Sequence, residues 1–437
     1  MPKTRNHALA RLLKEAGLSN GELARAVNRL GALQGSHYRY DRTSVAHWLT
    51  GSLPRPPVPD LVAQHLSGRL HRLVLPAQTG LLREAPANAT TVRAADELLY
   101  TLGAAEEDGE KRAALLRLPW SCCPQLSAAQ HKPPAGRLQT GPRELRSADL
   151  AALDFYLTHF GCLFERHGSG PARTALRAFA TTEGVSYLTS RAPQRSRRAV
   201  QHTLGRLVHL LATATFDAGH LGLAQRYHRA ALSLADEAQD ADLRAIVLRS
   251  MSNQARSVGF VPDAEHLAEA ARADESRLTP ATRAFLLTGR AAVLAASGRT
   301  RALHLLDTAQ ELLHGSDTGT DPYTDYSQAA FEYQRGEVLL LLGHRQDGIA
   351  ALTASLEHRP REHHRTRALT SCALAVAQLR IGHAEAACGS WRAALTEEAD
   401  VASPRLQRLL KSLHQQSHPY RNHAHVSALR RQTAALP

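Results

Sequence analysis

The chain has 437 residues, an apolar content of 43%, only 5% aromatics and a net charge of +13, and this length leaves room for two or three domains. Its Ala, Leu and Arg bias favours helices and repeats. Five cysteines do not make a disulfide framework at this size, no apolar run reaches bilayer length, and the start lacks a signal-peptide core. A cytoplasmic protein without a membrane partner is therefore expected. The charge is uneven. Between Met1 and Arg83 stand 12 Lys/Arg against 4 acids, a local +8 out of +13, which suits a polyanion partner for that fifth of the chain. An exposed basic surface without a partner is the plainer alternative.

Ala8, Leu9, Leu12, Leu13 and Ala16 recur at helical spacing, and Gly17 ends that helix. Ser19-Asn20-Gly21-Glu22 then has the Ser-x-x-Glu spacing of a capping box and opens a helix with Leu23, Val27 and Leu30 on one face. Asp41-Arg42-Thr43-Ser44 offers N-cap candidates for a short helix that buries Val45, Trp48 and Leu49, and Gly51 sits where a left-handed stop belongs. The exposed side of that helix carries Ser44 and His47, with Arg42 and Thr43 at its leading end, the layout of a helix that reads base edges. Ten residues, Gly31 to Tyr40, separate these two helices, where the common helix-turn-helix uses three or four. Within them His37, Tyr38, Arg39 and Tyr40 either track phosphate or, for the tyrosines, pack under the loop. Pro54, Pro56, Pro57 and Pro59 interrupt any helix as a stiff connector, and from Asp60 onward Leu61, Val62, His65, Leu66 and Leu70 supply another buried stripe.

Val92 to Leu102 and Lys111 to Leu118 read as short helices, and Pro119 to Pro142 as an aperiodic linker or strap. The run Trp120-Ser121-Cys122-Cys123-Pro124 lacks C-x-x-C spacing, so reduced, structural cysteines are expected rather than a redox or metal site.

Beyond residue 150 the pattern is a repeat. Gly219, Gly259, Gly298, Gly343 and Gly382 recur at intervals of 40, 39, 45 and 39. Small residues return around each, at Ala212, Ser252, Ala291, Gly336 and Ala375 before them. Ala224, Ala264, Ala302, Gly348 and Ala387 follow, and then Ala231, Ala271, Ala309, Ser355 and Ala394. Two helices approach closely only where side chains are small, and a tight turn between them needs glycine at a left-handed position. These offsets match the small positions of tetratricopeptide repeats, with the longer interval absorbed by a loop over Gly315 to Pro322. Gly161, Gly168 and Ala180 mark a degenerate leading unit, and Leu406, Leu409, Leu410 and Leu413 a capping helix. In this register the inner faces carry Arg206, His209 and Thr213, then Arg249, Asn253 and Arg256, and later Tyr333 and Glu337. An Asn among arginines holds a peptide backbone or carboxylate, although each of these residues alone also reads as a solvated helix face.

The segment Trp48-Leu49-Thr50-Gly51-Ser52-Leu53-Pro54-Arg55-Pro56-Pro57-Val58-Pro59, together with the repeats, resembles Cro/repressor-type regulators of high-GC bacteria. In these a helix-turn-helix domain precedes tetratricopeptide repeats, as in peptide-responsive quorum-sensing regulators. The resemblance is strongest over 19–75 and 197–400. It implies an all-α chain with an N-terminal helix-turn-helix bundle at 1–83, a helical linker at 84–146, an α-solenoid of tetratricopeptide-like hairpins at 147–400, and a capping helix and tail at 401–437. It further implies a transcriptional regulator that binds double-stranded DNA as a homodimer through Arg39, Arg42, Thr43, Ser44 and His47, with a repeat groove for a short peptide or small-molecule effector. Occupancy of that groove would change the spacing of the two DNA-binding domains. A tetratricopeptide interaction scaffold without sequence-specific DNA binding is the alternative. No P-loop, nucleophile elbow, H-E-x-x-H pair or C-x-x-C doublet occurs, so no enzyme and no cofactor are expected. His363-His364 and the tail set His414, His418, His423 and His425 lack companions at metal-ligand spacing and read as surface histidines.

Overall fold

The computed structural model describes residues 5–33, 38–55, 58–70, 79–81, 95–118, 120, 144–295, 298–314 and 326–433; side chains at 30–33, 60, 64, 67, 68 and 70 fall outside that description. Expectations for His37, Cys122, Cys123, most of Pro119 to Pro142, the Gly315 to Pro322 loop and the side chains of Leu30 and Leu70 lie outside the described residues. The chain divides into two compact units, Met1–Val92 and Arg93–Pro437. Among the described residues both are all-α, with one isolated bridge between Glu144 and Arg191. No described helix is long and apolar enough to cross a membrane.

The first unit holds α1 (His7–Ala16), α2 (Asn20–Leu33), α3 (Arg42–Leu49) and α4 (Val58–Leu70). Asn6 caps α1 by accepting the Leu9 amide at 2.9 Å, and Gly17 ends the helix with φ 61°. One core gathers Leu9, Leu12, Leu13, Leu23, Val27, Val45, Trp48, Leu61, Val62 and Leu66. Helix α4 begins two residues before the expected Asp60, at Val58, because Pro59 in a first turn has no amide to lose. Residues 79–81 close the unit. The Asn6 Nδ2 donates to the Thr79 carbonyl at 2.9 Å, Leu81 enters the core, and a Cβ on Gly80 (φ 64°) would lie 2.4 Å from Asn6 Oδ1. Only glycine fits there.

In the second unit, α5 (Ala95–Glu107) and α6 (Gly109–Leu116) come first. Asp108 separates them, accepting the Glu110 and Lys111 amides at 3.1 Å, so the first helix runs five residues beyond the expected Leu102. This pair does not stand apart: α5 packs on α8 and α11, and α6 on α11. Then follow α7 (Ser147–His167), α8 (Ser169–Thr181), α9 (Glu183–Leu188), and the hairpins α10 (Gln194–Asp217) with α11 (Leu221–Ala238) and α12 (Ala241–Ser257) with α13 (Val261–Ala270). Helices α14 (Pro280–Leu294) with α15 (Arg299–His314), α16 (Gln328–Leu341) with α17 (Arg345–His358), and α18 (His364–Arg380) with α19 (Ala384–Glu398) continue the series. Helices α20 (Pro404–Gln416) and α21 (Ala424–Thr433) end it. From α10 to α19 every helix packs most extensively on its hairpin partner.

The small residues explain this pairing. Those expected at the contacts, from Ala212 to Ala394, are all buried. A Cβ on Gly336 would sit 2.9 Å from Leu352 Cγ and 3.1 Å from the Gly348 carbonyl, so α16 and α17 touch almost backbone to backbone. The turn glycines Gly219, Gly259, Gly343 and Gly382 have φ between 84° and 91°. Gly298 departs from this expectation. It has no positive φ and donates its amide to the Leu294 carbonyl at 2.9 Å.

Helix α7 joins the two ends of the series. Helix α7 packs on both α10 and α18, and the Ala402 backbone bonds His167 O and the Gly170 amide at 2.9 and 3.0 Å. A buried ion network ties the closure together. The Arg365 Nη2 donates to Asp217 Oδ1 at 2.7 Å, its Nη1 to Glu165 Oε1 at 3.1 Å, and its guanidinium lies 4.1 Å over Phe164. Ser403 Oγ donates to Asp217 Oδ2 at 2.6 Å. Burial alone would raise the Asp217 carboxyl, but Arg365 and Ser403 hold it below its ordinary value.

Candidate functional site

In the first unit, α3 is held by a reciprocal cap. Asp41 Oδ1 accepts the Ser44 amide and the Ser44 hydroxyl, both at 2.8 Å, and the Asp41 amide donates back to Ser44 Oγ at 3.3 Å. Val45 and Trp48 are buried and Leu49 half-buried, so the opposite side faces out. Arg42, Thr43 and His47 are exposed there, and Arg39 is exposed in the preceding loop. Ser44 is half-buried, and its hydroxyl proton is committed to the cap, which leaves it one acceptor lone pair for any other partner.

The tyrosines of the preceding loop pack under it. Tyr40 meets Trp48 edge-on at 5.1 Å and stacks on Tyr38 at 5.5 Å, while Asn28 clamps the Tyr40 backbone by donating to its carbonyl at 2.8 Å and accepting its amide at 3.0 Å. Arg39 between them points outward. The helices are separated by eight residues rather than ten, because α2 runs on to Leu33.

The start of α2 lies beside this face. Its capping box forms as expected, with the Ser19 amide and hydroxyl donating to Glu22 Oε2 at 2.8 and 2.6 Å. Ser19, Asn20 and Gly21 then line one side of a shallow groove whose other side is Arg42, Thr43 and Ala46. The sequence marks Ser19 as a cap but carries no signal that Asn20 and Gly21 share a groove with α3.

In the second unit α7, α10, α12, α14, α16 and the start of α18 line a half-open cavity of about 450 Å³. Of the eight residues expected to bind an effector, Arg206, His209 and Thr213 line it. Arg249 stands behind the wall, with its Nη2 donating to Gln334 Oε1 and its guanidinium 4.1 Å over Phe285; burial pushes it down to about 10. Asn253 and Arg256 bond each other at 3.1 Å, and the Tyr333 hydroxyl donates to Glu337 Oε1 at 3.1 Å, all four outside the lining. The lining residues missing from the expectation, among them Phe164, Gln334, Arg359 and Arg365, come from elements whose place around the cavity no local pattern gives.

Arg206 is accompanied by His209, whose Nδ1 is buried without a partner and whose ring lies 5.2 Å from that of His228. Burial, and then the Arg206 charge, push His209 down to about 4 from 6.5. The unfolded chain therefore binds more protons than the folded one between those values, and stability falls as pH drops through that window. The melting temperature is expected to fall from pH 6.5 to 4, less steeply in His209→Gln; equal slopes in thermal scans would dissociate His209 from the effect.

Elsewhere His364 Nδ1 pairs with Glu397 at 2.5 Å and His414 with Thr433 at 2.9 Å. Among the described residues no three His, Cys, Asp or Glu side chains converge as a metal site would require.

No curated protein matches the chain. Residues 9–82 match the family model of the SP15 N-terminal domain, a span that runs from the first core leucine of α1 to the closing segment at Leu81.

Proposed function

We propose that the protein is a DNA-binding transcriptional regulator. In this reading the first unit is a helix-turn-helix domain, and the second is a tetratricopeptide-like array that receives a short peptide or small ligand and supports a homodimer. The observation that carries it is the outer face of α3, a capped helix with Arg42, Thr43 and His47 exposed, the first two across a groove from the start of α2. Arg42 and Arg39 reach phosphate or guanine, Thr43 and His47 hydrogen-bond base edges, and the free amides at the start of α2 suit a phosphate. The +8 charge of this segment supplies the general attraction. Ser44 holds the helix rather than reading it. Two copies would place two such helices on successive turns of one groove face.

The test uses duplex DNA from upstream of the protein's own gene. The Arg42→Ala/His47→Ala variant is expected to bind about tenfold to a hundredfold more weakly, with a salt slope reduced by about one. Unchanged, salt-insensitive binding would remove α3 from the interface, and absence of any duplex retention at moderate salt would favour an interaction scaffold.

A further inference from the structure

The cavity of the second unit has a definite chemical character, and this inference rests on the reading of that unit as a sensor. Its volume of about 450 Å³ falls in the range of small-molecule sites and below what a folded or extended peptide of several residues occupies. Its walls are largely apolar, with Leu157, Phe164, Leu210, Ile246 and Phe285 contributing.

Against those walls stand donors without acceptors. Arg206 forms no hydrogen bond or ion pair among the described residues; its charge reaches Asp240, whose two oxygens bond the His202 Nδ1 and the Leu243 amide instead. Arg359 donates through Nη2 to the Ala329 carbonyl at 3.0 Å, but its Nε is buried with no partner. Gln334 adds a third donor. A guanidinium has only donors, so Arg249 must face the Gln334 amide oxygen, which leaves the Nε2 hydrogens unspent.

Glu165, the one carboxylate among the lining residues, lends its charge to Arg359 but is shared with two other donors. Glu165 accepts from Arg365 at 3.1 Å through one oxygen and from Thr366 at 2.7 Å through the other. Donors are thus in excess over acceptors on the walls of this half-open cavity, and an acceptor brought from outside would pair them.

We infer that this cavity binds a small organic acid, one anionic head held by Arg206, Arg359 and Gln334, with an apolar body against Phe164, Ile246 and Phe285. Arg206 is the specificity-determining residue, since it is charged and makes no hydrogen bond or ion pair among the described residues. A neutral or cationic molecule of the same body leaves the donors unpaired and is rejected.

The test is calorimetric titration of the full chain with decanoate and 2-naphthoate, each against its alcohol and amine analogues. At least one acid is expected to bind about tenfold or more tightly than its analogues. Arg206→Gln should abolish that preference, Arg206→Lys should restore part of it, and Ile246→Trp, which fills the cavity without touching charge, should abolish binding. Binding by neither acid, equal affinity for acid and alcohol, an unchanged preference in Arg206→Gln, or binding of peptides alone would overturn the inference. Duplex retention measured on the same samples keeps the two readings apart. Acid binding that fails while DNA is retained defeats only this inference, and the converse defeats only the regulator.

Discussion

Arg365→Ala is expected to destabilise the second unit by about 3–5 kcal/mol, because it strands two buried carboxylates at once. Asp217 and Glu165 are 1% and 8% exposed, and both spend hydrogen-bonding capacity on that single guanidinium. Without it burial would push the Asp217 carboxyl toward protonation, Glu165 would lose its paired guanidinium, and the Phe164 ring would lose the cation above it. Arg365→Lys is expected to recover part of the loss. Its point charge cannot span the acceptors on α7 and α10 that the planar fork reaches together. Denaturant unfolding followed by circular dichroism checks this, and a loss below about 1 kcal/mol for Arg365→Ala would show that the network does not hold the closure.

Glu106→Ala should cost a comparable amount, about 3–5 kcal/mol, at a different seam. Glu106, 3% exposed on α5, accepts the Arg173 Nη2 from α8 through one oxygen and the Tyr227 hydroxyl from α11 through the other. Burial, and then the Glu106 charge, hold the Tyr227 hydroxyl well above its ordinary value, so the phenol stays protonated and donates. Removing the carboxylate leaves a guanidinium of 9% side-chain exposure without its counter-charge. Glu106→Gln retains an acceptor for the phenol and should fall between, and Tyr227→Phe, which loses one neutral donor, should cost about 1–2 kcal/mol. Any other ranking of the three in the same unfolding assay would mean that charge is not what fixes α5 to the hairpins.

The two networks differ from the features legible in the residues alone. Caps such as Ser19 with Glu22 and Asp41 with Ser44 act over three positions, so their spacing is written locally and the structure forms both. The hairpins of the second unit are similarly legible, since a close approach needs small side chains at recurring offsets, and Ala212, Ser252, Ala291, Gly336 and Ala375 are all buried. Gly298 shows the limit of that logic. Its place in the series is right, yet it lacks the left-handed φ of the other four.

The tyrosines of the long loop show another limit. Tyr38 and Tyr40 suited phosphate or packing equally well until Asn28, twelve residues before Tyr40, clamped the backbone and turned the rings toward Trp48. The inner-face residues divide for the same reason. Arg206, His209 and Thr213 reach the cavity, whereas Arg249, Asn253, Arg256, Tyr333 and Glu337 find protein partners first.

Taken by itself, the amino-acid order determined that the chain is helical, which helices of the repeat pair, where the capped ends such as Ser19 and Asp41 fall, and which fifth of the chain carries the positive charge. Those properties depend on neighbours within a few turns or on composition. Tertiary structure alone decided that the first and last hairpins meet, that Glu165 and Arg365, 200 positions apart, share a bond, and that donors from α10, α16 and the turn before α18 converge on one cavity. Small rotations between successive hairpins accumulate over the row, and their sum depends on the packing of every pair rather than on any local pattern.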